Sequence, residues 1–230
     1  MTTMEGGTMT STGYTLVIGD KNYSSWSLRP WLSLKACSVP FNEECVRLRL
    51  SKSKAEIFKH SPSGKVPALK TDFGVIYDSL AIVEYLAEQY PDAGLWPDDP
   101  VARAAARCVS AEMHAGFQAL RNDMPMDLVS RFPMPDVSET LANNIRRVVA
   151  LCMETRARFG HSGPLLFGTF TNADAMYAPV ATRFRTYGVP LAEFGDDGTA
   201  ATYVDAVYAM PDMAAWLADA EAEMRTSALV

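Results

Sequence analysis

Apolar positions change their spacing several times along the first ninety residues, and each change marks an element. Tyr14-Thr15-Leu16-Val17-Ile18 is an aromatic and β-branched run closed by Gly19-Asp20, the pattern of a buried strand. After a polar loop, Lys21 to Ser25, the residues Leu28, Trp31 and Leu32 fall at i, i+3 and i+4. Serines precede them as N-cap candidates and Pro30 sits near the start, so the spacing predicts a helix ending near Cys37-Ser38. Val46, Leu48 and Leu50 alternate with Arg47 and Arg49, which predicts a strand over Cys45 to Leu50. A short helix follows at Ser53 to Lys59. Val66 to Lys70 and Val75 to Tyr77 read as two strands joined by the turn Thr71-Asp72-Phe73-Gly74. Ile82, Val83, Leu86 and Tyr90 then keep helical spacing from Ser79 until Pro91 stops it.

The order βαβαββα describes a small mixed sheet with helices packed over it. The stretch from Tyr90 to Pro100, rich in proline and aspartate, has the composition of a linker. Beyond it the period becomes helical throughout: Val101 to Leu120, Ser138 to Phe159, Thr171 to Tyr187, Thr199 to Ala209 and Met213 to Met224. The expected organisation is an N-terminal extension over 1–13, an α/β domain over 14–90, a linker over 91–100 and an all-α domain over 101–230.

Composition narrows the function classes. With 21 basic and 27 acidic residues the net charge is −6, and no Lys/Arg cluster supplies the electrostatic footprint of a nucleic-acid or anionic-membrane partner. Cys37, Cys45, Cys108 and Cys152 are widely spaced and form no C-x-x-C pair, so neither a metal site nor a dithiol motif is expected. The start of the chain has neither a basic segment nor an apolar stretch, and no apolar run approaches the roughly 20 residues that span a bilayer, so a cytoplasmic protein is expected.

Three segments can carry chemistry. Tyr23-Ser24-Ser25-Trp26-Ser27-Leu28-Arg29 joins the first strand to the first helix and places hydroxyls among the free N–H groups of a helix N-terminus, where negative charge is favoured. Plain helix capping is the competing reading. Gly64-Lys65-Val66-Pro67-Ala68-Leu69 opens a strand with a proline; a cis peptide there turns the Val66 backbone outward to pair with an extended peptide, and an edge-strand proline is the alternative. Asp78-Ser79 caps the next helix and can meet an ammonium group and an anion.

In order and spacing these segments, with Asp78-Ser79-Leu80-Ala81-Ile82-Val83-Glu84-Tyr85-Leu86 as the third, resemble the landmarks of cytosolic glutathione S-transferases, closest to the serine-type, zeta-like branch. Trp26 stands where that branch usually carries Cys. The resemblance implies a thioredoxin-like N-terminal domain that binds glutathione as co-substrate and an α-helical bundle that forms the pocket for a hydrophobic electrophile. It implies Ser24 as the activating hydroxyl with Ser25 behind it. Lys65 would meet the glycyl carboxylate, Val66 beside cis-Pro67 the cysteinyl backbone, and Asp78 with Ser79 the γ-glutamyl end. It also implies a capping role for Thr171-Asn172-Ala173-Asp174, a homodimer built on the helix after Ser79 and the first helix of the second domain, and a role in detoxification.

For the electrophile pocket we expect Trp26 with Met113, His114 and Phe117, three residues at a spacing equally suited to a helix core. His60 and His161 have no partner pattern, and the Met-rich stretch Met124 to Met134 suits either a pocket wall or an irregular connection. The expected activity is conjugation by a glutathione transferase. The alternatives are a zeta-like isomerase of the maleylacetoacetate type and a non-catalytic binding module. A thiol-disulfide oxidoreductase is disfavoured because the first loop offers serines and no cysteine.

Overall fold

The computed structural model describes residues 13–227; apart from Gly13, the expected N-terminal extension lies outside them. The sheet is built from β1 (Thr15–Gly19), β2 (Asn42–Val46), β3 (Ala68–Thr71) and β4 (Gly74–Tyr77), in the spatial order β2-β1-β3-β4. β1 runs parallel to β2 with Ile18 opposite Cys45 and antiparallel to β3 with Leu16 opposite Leu69, while β4 closes a hairpin on β3. The alternation of β1 decides what covers each face. Leu16 and Ile18 are fully buried beneath α1 (Ser25–Ala36) and α3 (Ser79–Gln89), with Leu28, Leu32, Ile82 and Leu86 in the same core. Val17 points to the other face, where Ala68 and Val46 meet Ile57 of the short α2 (Ser53–Phe58).

A short 3-10 turn, Pro91–Ala93, leads into α4 (Pro100–Ala115), α5 (Gln118–Asp123), α6 (Glu139–Phe159), α7 (Asn172–Thr186), α8 (Thr199–Ala209) and α9 (Pro211–Ser227). α7 is the hydrophobic axis of this part. It packs on α1, α4 and α8, and nearly all of its residues are buried. Thr171 and Asp174 form a capping box at its start: the Asp174 carboxylate accepts from the Thr171 N–H at 2.9 Å and hydroxyl at 3.0 Å, and also from the Leu166 N–H at 3.0 Å.

Two expectations from spacing need correction. The strand expected over Cys45 to Leu50 runs over Asn42–Val46 instead, and the chain leaves the sheet after Val46. The Leu48 N–H donates to the Asp20 carboxylate, Arg49 takes φ 63°, the Leu50 N–H donates to Ser53 Oγ, and Leu50 is 49% exposed. Side-chain acceptors compete successfully with the ladder there. The single helix expected over Val101 to Leu120 is two, since Gly116 is extended and Phe117 adopts φ 57° between α4 and α5.

Candidate functional site

A cleft of about 640 Å³ opens where the sheet edge faces α4, lined by Trp26, Ile57, residues 63–67, Tyr77, Asp78, Ser79 and His114. One wall is the segment before β3. Gly64 has φ 63°, and a Cβ there would fall 2.6 Å from the Phe58 ring, so both backbone conformation and close packing require glycine. The turn presents Lys65, whose ammonium makes no ion pair among the described residues. The Val66-Pro67 bond is cis, and the Val66 N–H and C=O make no hydrogen bond to the described residues.

The facing wall is the start of α3. Asp78 holds φ 80°, an unfavourable region for a side chain of this size, and its carboxylate accepts from the Leu80 N–H at 2.8 Å. Its other oxygen lies 3.4 Å from His114 Nε2 of α4. Ser79 is 1% exposed, with its hydroxyl buried and unpartnered at the helix N-terminus. An anion docked against α3 meets an unused donor and the positive end of the helix together.

Ser24 is the N-cap of α1, yet its side chain makes no capping hydrogen bond. Its hydroxyl instead pairs with Ser27 Oγ at 2.7 Å, and Ser27 Oγ accepts from the Gly19 N–H at 3.1 Å. Ser25 is 7% exposed and its hydroxyl is bonded to no described residue. The loop before these serines is anchored by distant parts of the chain. The Asn22 carboxamide accepts from the Leu128 and Val129 N–H groups and donates to Asp127, and Lys21 sits between Trp31 and Trp216 while pairing with Glu43 and Asp219.

Of the residues expected at the electrophile side, Trp26 and His114 line the cleft, their rings edge to face at 5.4 Å. Met113 and Phe117 do not. Met113 is fully buried, and Phe117 packs on Tyr177 inside the helical core, as their helical spacing also allowed. The Met124 to Met134 stretch places Met124 and Met126 in that same core. Two neighbours of these residues were not foreseen in the pattern. Ser27 was read only as part of a serine-rich cap, and nothing in the pattern showed that the Arg29 guanidinium would be wholly buried beside Trp26. The four cysteines are free thiols, none of them in the cleft lining; burial pushes Cys37 up to about 11 and Cys152 up to about 12.

A four-stranded mixed sheet with a cis-proline turn at a cleft, backed by a helical part, defines the class of two-part proteins with a thioredoxin-like N-terminal half. The family model "Glutathione S-transferase, N-terminal domain" matches residues 23–89. A probable maleylacetoacetate isomerase from Caenorhabditis elegans is 38% identical over 107 residues, 46% of this chain and 49% of that protein, so the chain spans about half the length of that relative. The maleylacetoacetate isomerase of Rattus norvegicus is 28% identical over 176 residues, 74% of this chain and 77% of that protein. Among solved structures, a glutathione transferase homolog from Burkholderia GL BGR1 with bound glutathione superposes with a TM-score of 0.68 at 22% identity, covering 91% of this chain and 98% of that one. The Tau class glutathione S-transferase of mango does so with a TM-score of 0.69 at 20% identity, covering 96% and 99%. Residues 23–89 thus match the N-terminal domain of glutathione S-transferases, and the chain shares the thioredoxin-like and α-helical fold of the solved glutathione transferases.

Proposed function

We propose that this protein is a glutathione transferase that activates the glutathione thiol and joins it to a hydrophobic electrophile. The observation that carries this reading is the set of unsatisfied groups facing one cleft: the Lys65 ammonium, the Val66 backbone, and the Ser79 hydroxyl at the start of α3. Their chemistry matches a small zwitterionic peptide, with Lys65 for the glycyl carboxylate, Val66 for the cysteinyl backbone, and Asp78 with Ser79 for the γ-glutamyl end. Bound glutathione supplies a thiol with a reference pKa of about 8.5, which is mostly protonated at neutral pH.

Ser24 is suited to shift that balance. Ser27 Oγ already accepts from Gly19, so its proton is free to go to Ser24 Oγ, and the Ser24 hydroxyl can then donate to a sulfur anion beside the α1 N-terminus. Ser25, unbonded one residue on, stands second. Positioning along Val66 and stabilisation of the thiolate are the two contributions this chain makes; the sulfur–carbon bond then forms at the electrophile as its leaving group departs.

A zeta-like isomerase is the second reading. It is favoured by the names of the relatives from Caenorhabditis elegans and Rattus norvegicus, and Trp26 in the cleft is the feature that sets this chain apart from that branch. A binding module without turnover is the third. Elution from a glutathione column followed by assays with chlorodinitrobenzene and, for cis-trans isomerisation, with a maleyl compound separates them. Retention with conjugation supports the transferase, retention with isomerisation alone the isomerase, retention without either the module, and no retention sinks all three.

We further propose a cytoplasmic homodimer working in detoxification, with domains divided over 14–90 and 101–230 about a linker at 91–100. Among the described residues no helix is long and apolar enough to cross a membrane. Of the two helices expected at the dimer interface, α4 exposes Val101 at its start, and α3 carries Tyr85, whose ring meets the exposed Phe73 of the neighbouring β3–β4 hairpin.

A further inference from the structure

Seven of the chain's 21 Lys and Arg residues fall between Arg47 and Lys70, where Glu56 is the one acid. The net charge of −6 conceals this segment, so the expectation that the chain holds no basic cluster fails here. Three of the seven cations are neutralised locally: Arg47 pairs with Asp20, Lys59 with Glu56 and Lys70 with Glu44. The other four, Arg49, Lys52, Lys54 and Lys65, are exposed and make no ion pair among the described residues. Contacts along the chain join them into one surface. The Arg49 guanidinium lies 3.8 Å from the centre of the Tyr23 ring, and the Leu50 N–H is held by Ser53 Oγ at the start of α2. One helical turn on, Lys54 Nζ lies 5.9 Å from the centre of the Phe58 ring. That ring packs against Gly64, beside Lys65, so closely that a Cβ there would meet it at 2.6 Å. Among these cations two large apolar side chains stand in water: Leu50 is 49% exposed and Phe58 52%.

We propose that this face, from Arg49 through α2 to the Lys65 turn, docks the protein on an anionic lipid surface. Charge complementarity carries the choice of partner. Each cation near a negatively charged leaflet raises partition about fivefold, while Leu50 and Phe58 enter the headgroup layer and leave water. A polynucleotide uses the cations and leaves Leu50 exposed; a lipid surface uses both kinds of side chain. In the rest of the chain acidic residues outnumber basic ones, so an anionic surface repels other orientations and selects this one. Gly64 and Lys65 belong to this face and to the cleft lining alike, so docking sets the cleft at the lipid border. A hydrophobic electrophile dissolved in the bilayer would then reach it directly, a consequence that rests on the transferase reading.

Co-sedimentation of the full chain with vesicles at about 0.1 M salt tests the docking. Binding is expected to vesicles of phosphatidylcholine mixed with phosphatidylglycerol and not to phosphatidylcholine alone, and it should weaken as salt is raised. Lys52→Ala combined with Lys54→Ala is expected to lower the partition coefficient about 25-fold, whereas Lys52→Arg combined with Lys54→Arg keeps it. Leu50→Ser is expected to lower it about fivefold, since the half of that side chain now in water loses its apolar refuge. No binding by the wild type, equal binding to the two vesicle compositions, or undiminished binding in the alanine or serine variant overturns the proposal. Equal affinity for a single-stranded oligonucleotide at the same salt marks a general polyanion surface and overturns it too. Lysine-dependent vesicle binding by a protein that conjugates no electrophile keeps the docking face and refutes the transferase reading alone.

Discussion

Ser24 and Ser25 are adjacent in sequence and differ in what their hydroxyls touch. Ser24 belongs to a chain of hydrogen bonds that begins at the Gly19 N–H and passes through Ser27, whereas Ser25 has no such support. Ser24→Ala is therefore expected to lower kcat/KM toward chlorodinitrobenzene by about 10- to 100-fold, the range of one hydrogen bond to a charged group. Ser25→Ala should do less, and an unchanged rate in Ser24→Ala sinks the assignment. The presence of hydroxyls at this helix start was legible in the sequence. The hydrogen bonds that reach Ser24 and not Ser25 were not, because they depend on how β1 delivers the Gly19 N–H.

Asp174 poses a different residue-scale problem. Its burial raises the carboxyl to about 6, although three hydrogen bonds from Leu166 and Thr171 favour its charged form. A carboxyl raised in the folded state holds its proton more tightly there than in the unfolded chain. Its contribution to stability is complete below the unfolded value near 4 and is lost as pH rises through about 6, a swing of roughly 3 kcal/mol. Urea unfolding of the wild type and Asp174→Asn should show their stability difference changing in the wild type's disfavour between pH 4 and 6.5. A difference that stays flat with pH contradicts the assigned shift.

At the scale of elements, α9 is the piece whose role the pattern concealed. Its spacing read only as a helix over Met213 to Met224, but Trp216 is fully buried, packs edge to face on Trp31 at 5.1 Å, and donates its indole N–H to the Lys21 carbonyl at 3.0 Å. Lys21 in turn lies between both indoles and pairs with Asp219 of α9. The last helix thus holds the loop that carries Ser24. Trp216→Ala is expected to cost about 3–5 kcal/mol by the cavity it leaves, read as a shift in the urea midpoint. A loss below about 1 kcal/mol, the level of a surface change, means α9 is only loosely docked.

For the whole molecule, the decisive contacts run between the sheet-bearing half and the helical half. Asn172 at the start of α7 donates its amide to the Val83 carbonyl of α3 at 3.0 Å, accepts from the Ser33 hydroxyl of α1 at 2.7 Å, and uses its own N–H on the Leu95 carbonyl at 2.8 Å. All of this is buried. The two halves should therefore unfold together in one calorimetric transition, and Asn172→Ala, which removes the buried bonds to Ser33 and Val83, should lower stability by about 2–4 kcal/mol. Two resolved transitions in the wild type contradict this coupling. Dimerisation is read at the same scale: the wild type is expected to sediment as a dimer and Phe73→Glu to shift it toward monomer, while a monomeric wild type refutes the proposed assembly.

The sequence by itself determined the order of elements, the change from mixed to helical periods at the proline-rich stretch, the Val66-Pro67 turn and the Asp78-Ser79 helix start. All of these are local: periodicity, caps and breakers act within a few residues. It misread Arg47 to Leu50, where Asp20 and Ser53 captured the backbone groups a ladder needed, and it joined α4 to α5 across Phe117. Only the tertiary structure decided that Met113 and Phe117 belong to the core while His114 reaches the cleft, and that Ser27 backs Ser24. It alone placed Arg29 unpartnered beside Trp26. These outcomes depend on which face each helix turns toward partners scores of residues away. The free energy that decides them comes from burial and pairing between elements, which no local pattern contains.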